Sequence, residues 1–463
     1  MKFSTRFAAV VALTVLVLLM PAPAGLSEAG KRAMAAFVFT ASIFALQPVP
    51  LPFAGLMVPV VLVLLGVASS ARAFEALSRP IIILILGSLF LAEALRKHGV
   101  TRRLALTSIV ASGGGVGRLL LGMMAIAGLL SMWMENTATA AVLIPVALTI
   151  SSQVEDEERS RELLVLLVLG IAYAASIGGM ATVTGSASNA VASSFLAEVR
   201  PWTFLDWMRY GVPAFLLVFP LTWLALKRLV KVGVERLDIS RAREDLDNLG
   251  PIRGVEWETI ATLNVTILFW IAGSYIEPIL SLPPMALSPS VVAIMAVAYL
   301  ALRGVIEWED VRGVSWGMFF AISAGLSLGE ALVRTGATDW LSGLIRPVIL
   351  GTPLFFSLLF LVFMSSLLTN VVNNATVAAV FVPILISIAR GDPSFNSVQL
   401  VLPLTLATTF GYALPSASGR MALISATGIV DRGLMVRVGM VVTLMSASAL
   451  AVLFYALIVL GLI

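Results

Sequence analysis

The sequence predicts an all-α polytopic membrane protein with 11 transmembrane helices and two re-entrant hairpins, arranged as an inverted-topology repeat. Three observations carry this. The 463 residues are 59% hydrophobic and 12% charged, about half the roughly 25% charged share of an average soluble domain, and the mean hydropathy is +1.01. Apolar runs of helical length recur from one end of the chain to the other. The second half also repeats polar motifs of the first, in the same order, at an offset of 230–238 residues. There is no cysteine and one histidine, His98. Disulfides, thiolate metal sites, cysteine nucleophiles and histidine metal clusters are thereby excluded, zinc and haem chemistry are disfavoured, and no covalent cofactor is expected.

In windows of about 19 residues the apolar runs fall at 7–26, 34–50, 54–69, 81–95, 119–150, 163–195, 211–226, 259–275, 289–302, 316–332, 351–388, 399–415 and 434–463. The first, with Lys2 and Arg6 ahead of it and Ala22-Pro23-Ala24 behind, also has the outline of a secretory signal; it is taken as a retained span. The runs at 119–150 and 351–388 are longer than one helix and carry Asn-rich centres. Such a centre facing lipid would leave amides unpaired at several kcal/mol each, so both are read as hairpins that enter and leave on one side, which leaves 11 full spans. With the N-terminus inside, 20 of the 30 basic residues fall inside, 9 fall outside, and Arg420 lies in an apolar region. That bias places the N-terminus in the cytoplasm and, with an odd span count, the C-terminus outside a plasma (inner) membrane.

The chain divides into a first span (1–33), a first repeat (34–226), a linker (227–258) and a second repeat (259–463). The linker has six basic residues before Glu244 and the acidic Glu244-Asp245-Leu246-Asp247 after them; the mixed signs read as a cytoplasmic connection, not a nucleic-acid arm. In the first repeat, Leu91-Ala92-Glu93-Ala94-Leu95-Arg96-Lys97-His98-Gly99 precedes Glu135-Asn136-Thr137 and Pro145. In the second, Leu328-Gly329-Glu330-Ala331-Leu332-Val333-Arg334-Thr335-Gly336 precedes Asn373-Asn374-Ala375 and Pro383. A third pair, Gly185-Ser186-Ala187-Ser188-Asn189 and Pro415-Ser416-Ala417-Ser418-Gly419, closes each half. Five spans per half is an odd number, so the second half enters from the opposite face, as in the inverted repeats of secondary transporters.

A helix that stops and restarts at mid-membrane frees backbone N–H groups at one end and carbonyls at the other. The N–H ends attract anions. The carbonyls and the hydroxyls of Ser131, Thr137, Ser186 and Ser188 suit a small cation such as Na⁺. The recurring Glu93 and Glu330 read as structural or gating residues near helix ends, and His98, among four basic residues, as solvated or headgroup-facing. Gly113-Gly114-Gly115-Val116-Gly117 lacks a following Gly-Lys-Ser/Thr and reads as a flexible entry to the first hairpin, not a phosphate loop. Glu155-Asp156-Glu157-Glu158 reads as a solvated turn.

Ser131-Met132-Trp133-Met134-Glu135-Asn136-Thr137-Ala138-Thr139 and Ala175-Ser176-Ile177-Gly178-Gly179-Met180-Ala181-Thr182 resemble the divalent anion/sodium symporter family. The resemblance implies a homodimer with a scaffold domain and a transport domain that moves in an elevator-like displacement. It also implies import of a small anion of the dicarboxylate, citrate or sulfate class, coupled to Na⁺ or H⁺. By motif, substrate would meet Glu135, Asn136 and Thr137 in the first tip, Asn373, Asn374 and Ala375 in the second, Ser188 and Asn189 at the first break, and Ser418, Gly419 and Arg420 at the second. One Na⁺ would use Ser131, Asn136 and Gly185; its symmetry mate would use Thr369, Val372, Asn374 and Ala417. The chain departs from the family's Ser-Asn-Thr tips: Glu135 replaces Ser, and Asn373 and Ala375 replace the second Ser and Thr. Ser186-Ala187-Ser188-Asn189 also stands in place of Thr-Pro-Pro-Asn, and in the second break Ser418-Gly419-Arg420-Met421 occupies the same place, so its Asn has become Met421. Within the wider superfamily, a Na⁺/H⁺ antiporter or arsenite-type carrier is the alternative, with Glu135 as its proton-linked residue. No nucleotide motif or metal cluster points to an enzyme. Glu135 and Arg420 are the two charges in costly surroundings and are expected to approach each other in one cavity, as a pair or as substrate contacts.

Overall fold

The computed structural model describes residues 3–392 and 394–463; Lys2, counted among the cytoplasmic basic residues, lies outside them. The first half contains α1 (Phe3–Leu19), α2 (Glu28–Leu46), α3 (Leu51–Leu64), the short α4 (Ser70–Phe74), α5 (Pro80–Lys97), α6 (Val100–Ala111), α7 (Val116–Ser131), α8 (Asn136–Ser151), α9 (Glu157–Gly179), α10 (Ala187–Ala197) and α11 (Phe204–Leu229). After α12 (Ser240–Asn248) come α13 (Gly254–Ile279), α14 (Pro289–Leu302), α15 (Trp316–Arg334), α16 (Ala337–Leu350), α17 (Leu354–Leu368), α18 (Asn374–Arg390), α19 (Ser397–Ala407), α20 (Gly419–Thr427) and α21 (Arg432–Val459). Among the described residues the fold is all-helical, with one isolated backbone bridge, between Gly115 and Arg236.

The order of elements recurs. α2 and α3, α5 to α11 in the first half match α13 and α14, α15 to α21 in the second. The capping chemistry recurs with them. α5 and α15 both stop at a left-handed glycine, Gly99 at φ 74° and Gly336 at φ 74°. A side chain at that φ is strained, so these glycines turn the chain sharply into α6 and α16. Packing is reciprocal too: α3 lies against α15, and its counterpart α14 lies against α5.

Six described helices (α2, α9, α11, α13, α15 and α21) are long and apolar enough to cross a membrane, and a seventh crossing results if the bent pair Ser70–Ser78 and Pro80–Lys97 is one span. Reaching 11 requires four more: the shorter apolar helices α1, α3 and α14, and the broken pair α19–α20 counted as one span. Helix α9 is the central post: 89% of its apolar window is buried, against 22% for α13, whose Val265 and Leu268 are more than half exposed. An all-round apolar helix belongs inside.

One sequence expectation is corrected and two gain detail. The glycine run before α7 is not a flexible entry. Val116 N donates to Glu235 O at 3.2 Å and Leu237 N to Gly114 O at 2.8 Å, so the linker is laced to the base of the first helix pair. A Cβ on Gly114 would lie 2.3 Å from Leu237 O. His98 is partly buried, and its Nε2 meets Val305 O at 2.8 Å and ties the end of α5 to the turn after α14. The acidic 155–158 run is exposed, as expected of a solvated turn, and leads into a helix: Asp156 caps α9 by accepting from Arg159 N at 3.0 Å. Glu93 and Glu330 both sit in ion pairs, with Arg96 and with Arg79 and Arg334.

Candidate functional site

The first tip is the four-residue turn between α7 and α8. Glu135 is the N-cap of α8: its Oε2 accepts from Ala138 N at 2.9 Å and its Oε1 from the Thr137 hydroxyl at 2.7 Å. An acidic cap is favoured there by the free amides and by the helix dipole. Behind it, Asn136 is 6% exposed and turned into a nest of oxygens. With Nδ2 inward it donates to Ala175 O at 3.0 Å, Gly185 O at 3.1 Å and Ser131 Oγ at 2.5 Å. With Oδ1 inward the same place holds four oxygens, the Ser131 hydroxyl donating to Oδ1, a set of atoms that suits a cation.

The second tip, between α17 and α18, is built alike. Asn373 caps α18 by accepting from Ala375 N at 2.9 Å. The Thr369 hydroxyl bonds Asn374 Oδ1 and donates to Thr408 O at 2.9 Å. Among the described residues no group of three or more His, Asp or Glu could hold a metal ion. These neutral hydroxyl, amide and carbonyl oxygens suit a hard monovalent cation, not a transition metal.

Of the two registers the sequence offers for the breaks, the Ser-Ala-Ser match and the motif match, the structure supports the motif match. The extended N-caps are Ser186 (φ −146°) for α10 and Ser418 (φ −167°) for α20, so Ser186 corresponds to Ser418, not Ser416. Gly185 then matches Ala417, Ser188 matches Arg420, and Asn189 matches Met421. The cap geometry decides because the extended residue is where the helix restarts. Asn189 Nδ2 braces the first break by donating to Gly179 O at 2.8 Å and Thr182 O at 2.7 Å. Met421 has no such donors; instead Arg420 Nη2 donates to Thr409 O at 3.3 Å and Gly411 O at 3.4 Å. Arg420 is 2% exposed and its Nε has no partner.

Both tips and both breaks meet at one cavity of about 260 Å³. Of the residues expected to bind substrate or cation, Glu135, Asn136, Thr137, Gly185, Asn373, Asn374, Ala417, Ser418, Gly419 and Arg420 line it. Gly419 has to be glycine, since a Cβ there would lie 2.7 Å from Thr137 Oγ1; this is where the first tip touches the second break. The structure does not bring the others to the wall. Ser131 and Thr369 sit behind it as partners of Asn136 and Asn374. Ala375 is buried and supplies only its amide to Asn373. Ser188 is buried and accepts from the Thr408 hydroxyl at 2.8 Å, and Asn189 is the brace just described. Val372 donates its N–H to Leu368 O at 2.8 Å within the tip. Sequence reasoning missed the opposite wall, formed by Leu51 at the start of α3 and by Ser315, Gly317, Met318 and Ala321 at the start of α15. The only signal for it was the small pair Ser315 and Gly317 at a helix start.

The sodium:sulfate symporter transmembrane region matches residues 2–462. An uncharacterized transporter of Haemophilus influenzae is 30% identical over 428 residues, covering 91% of this chain and 90% of that one. The sodium-dependent dicarboxylate transporter SdcS of Staphylococcus saprophyticus is 26% identical over 470 residues, covering 96% of this chain and 89% of SdcS. Among solved structures, the YdaH transporter of Alcanivorax borkumensis, described as having an unusual topology, superposes with a TM-score of 0.53 at 14% identity, covering 99% of this chain and 98% of that one; this likeness concerns the fold alone. A polytopic all-helical chain matched from end to end by this family, whose named relatives are transporters and not enzymes, belongs to the sodium:sulfate symporter family.

Proposed function

We propose that this chain is a secondary active transporter that imports a small anion coupled to Na⁺, by elevator-type alternating access of an inverted repeat. The observation that carries this reading is the convergence of four helix ends, two from each half, on one cavity. Amides restart there beside hydroxyls and carbonyls that suit a cation. The family and the relatives' names support an anion and Na⁺. The dicarboxylate, citrate and sulfate class sets the first substrates to try. In this reading the two hairpins and the spans after them form the transport domain. The linker 227–258 is cytoplasmic, the C-terminus is outside, and the exposed apolar face of α13 is the surface available for a homodimer partner or for lipid.

H⁺ coupling or a Na⁺/H⁺ antiport would need Glu135 to exchange a proton in the cavity. Both its oxygens already accept hydrogen bonds within the tip. Na⁺ is the coupling ion expected, because the matching family is a sodium symporter family. Uptake into proteoliposomes, with Na⁺ and pH gradients imposed separately, tests this. Accumulation driven by Na⁺ alone supports the reading, and accumulation driven only by a pH gradient replaces it with the antiporter or proton-linked alternative.

A further inference from the structure

Two opposite charges stand on the wall of one cavity without pairing. Glu135 and Arg420 both line it, yet neither takes part in an ion pair among the described residues. Each is restrained by its own segment. Glu135 is bound through both oxygens to Ala138 N and the Thr137 hydroxyl. Arg420 reaches only two long backbone contacts, and its Nε is buried without an acceptor. Opposite charges in a low-dielectric cavity attract strongly. Held apart, they make the cavity dipolar.

The positive pole is Arg420 with the adjacent start of α10, whose N-cap Ser186 makes no side-chain cap and leaves the first amides open. The negative pole is Glu135. Glu135 has already taken the Ala138 amide and the Thr137 hydroxyl, and it puts a carboxylate on the cavity wall. A dianion would set one of its own anionic groups against that carboxylate, and like charges at close range repel.

Resting on the Na⁺-coupled transporter reading above, but departing from its anionic substrate, we propose that the substrate is a small zwitterion of the amino-carboxylate or aminosulfonate class. Its anionic group meets Arg420 and the start of α10, and its ammonium meets Glu135. The volume agrees: 260 Å³ at about 30 Å³ per water-sized group holds roughly eight such groups, which fits a short-chain zwitterion.

The test uses matched probes on the full-length protein in detergent with saturating Na⁺. Succinate is compared with β-alanine, which replaces one carboxylate by an ammonium on the same two-carbon spacer. Sulfoacetate is compared in the same way with taurine. Binding is measured by calorimetry for the wild type, Glu135→Ser and Glu135→Gln, each checked for a monodisperse folded state. The wild type should bind β-alanine or taurine at least about tenfold more tightly than the matched dianion, and both variants should reverse that order. Preference of the wild type for the dianions overturns the proposal. So does an unchanged ratio in Glu135→Gln or Glu135→Ser, or failure of all four probes to bind. Should neither variant fold, the wild-type order decides alone. Stabilisation by Na⁺ without any organic probe, measured in parallel, reports on the transporter reading separately. Its loss with zwitterion binding intact would remove Na⁺ coupling and leave the substrate class standing.

Discussion

Replacing Asn136 by alanine removes the amide at the centre of the oxygen nest of the first tip. The amide reaches Ala175 O at 3.0 Å and Gly185 O at 3.1 Å. Losing it leaves two buried carbonyls unpaired at about 1–3 kcal/mol each, within the 5–15 kcal/mol that typically holds a fold together. The variant is therefore expected to fold, with reduced stability. Its response to Na⁺ should change more than its fold. An ion held by Ser131, Gly185 and the Asn136 oxygen at a hundred times its dissociation constant stabilises the native state by about 2.7 kcal/mol. At roughly 2 cal/mol/K per residue that is about 3 °C in Tm for a chain of this length. Thermal unfolding of purified wild type in Na⁺ against choline should show this shift, and Asn136→Ala should abolish most of it together with uptake. Asn136→Asp, which puts a carboxylate among oxygens, should fold well only in Na⁺. An undiminished Na⁺ shift in Asn136→Ala would refute the cation assignment and leave the asparagine as a brace between α8 and the first break. Asn374→Ala makes the corresponding test at the second tip.

Arg420→Gln should fold and lose anion affinity by about tenfold or more, because a buried charge-assisted contact is worth roughly 1.5–3 kcal/mol; unchanged affinity by calorimetry would make the guanidinium only a clamp on Thr409 O and Gly411 O. A Ser240→Cys variant, in a chain with no cysteine, should resist impermeant thiol reagents in intact cells and react after permeabilisation; labelling in intact cells would reverse the topology. Burial opposes ionisation of Asp310, but the Glu307 backbone N–H and the Lys97 ammonium outweigh it and hold its carboxyl below the ordinary carboxylate range. That contribution is present above the unfolded value near pH 3.9 and lost as pH falls through the lower folded value. Asp310→Asn should therefore flatten the acid limb of the Tm profile below about pH 4, and an unaltered limb would show that the Lys97–Asp310 contact is not formed in solution.

The tips and breaks were legible in the sequence because an amide-rich centre inside an apolar run has few structural solutions in lipid. Glu135-Asn136-Thr137 and Asn373-Asn374-Ala375 could be located before any fold was known. α6, α12, α16 and α20 were not legible: they are short, and none forms an apolar run long enough to stand out. The repeat was legible as order, and its register was legible in two versions. Matching identical letters pairs Ser186 with Ser416, matching the motif pairs it with Ser418, and the extended caps agree with the second, which brings Arg420 opposite Ser188.

The local chemistry of the chain determined by itself that it is an apolar, all-helical protein with two related halves and a polar interruption in each. Hydropathy, caps and helix breaks depend on residues within a few turns of each other. Tertiary structure alone decided which of those polar groups share a cavity. It drew Thr137 against Gly419, 282 residues further along the chain, supplied an opposite wall from α3 and α15, and kept Glu135 and Arg420 apart. It also turned Asn189 away from the cavity and made it a brace. Side-chain partners at that separation depend on how helices are packed and rotated against one another, and no pattern along a single helix encodes that.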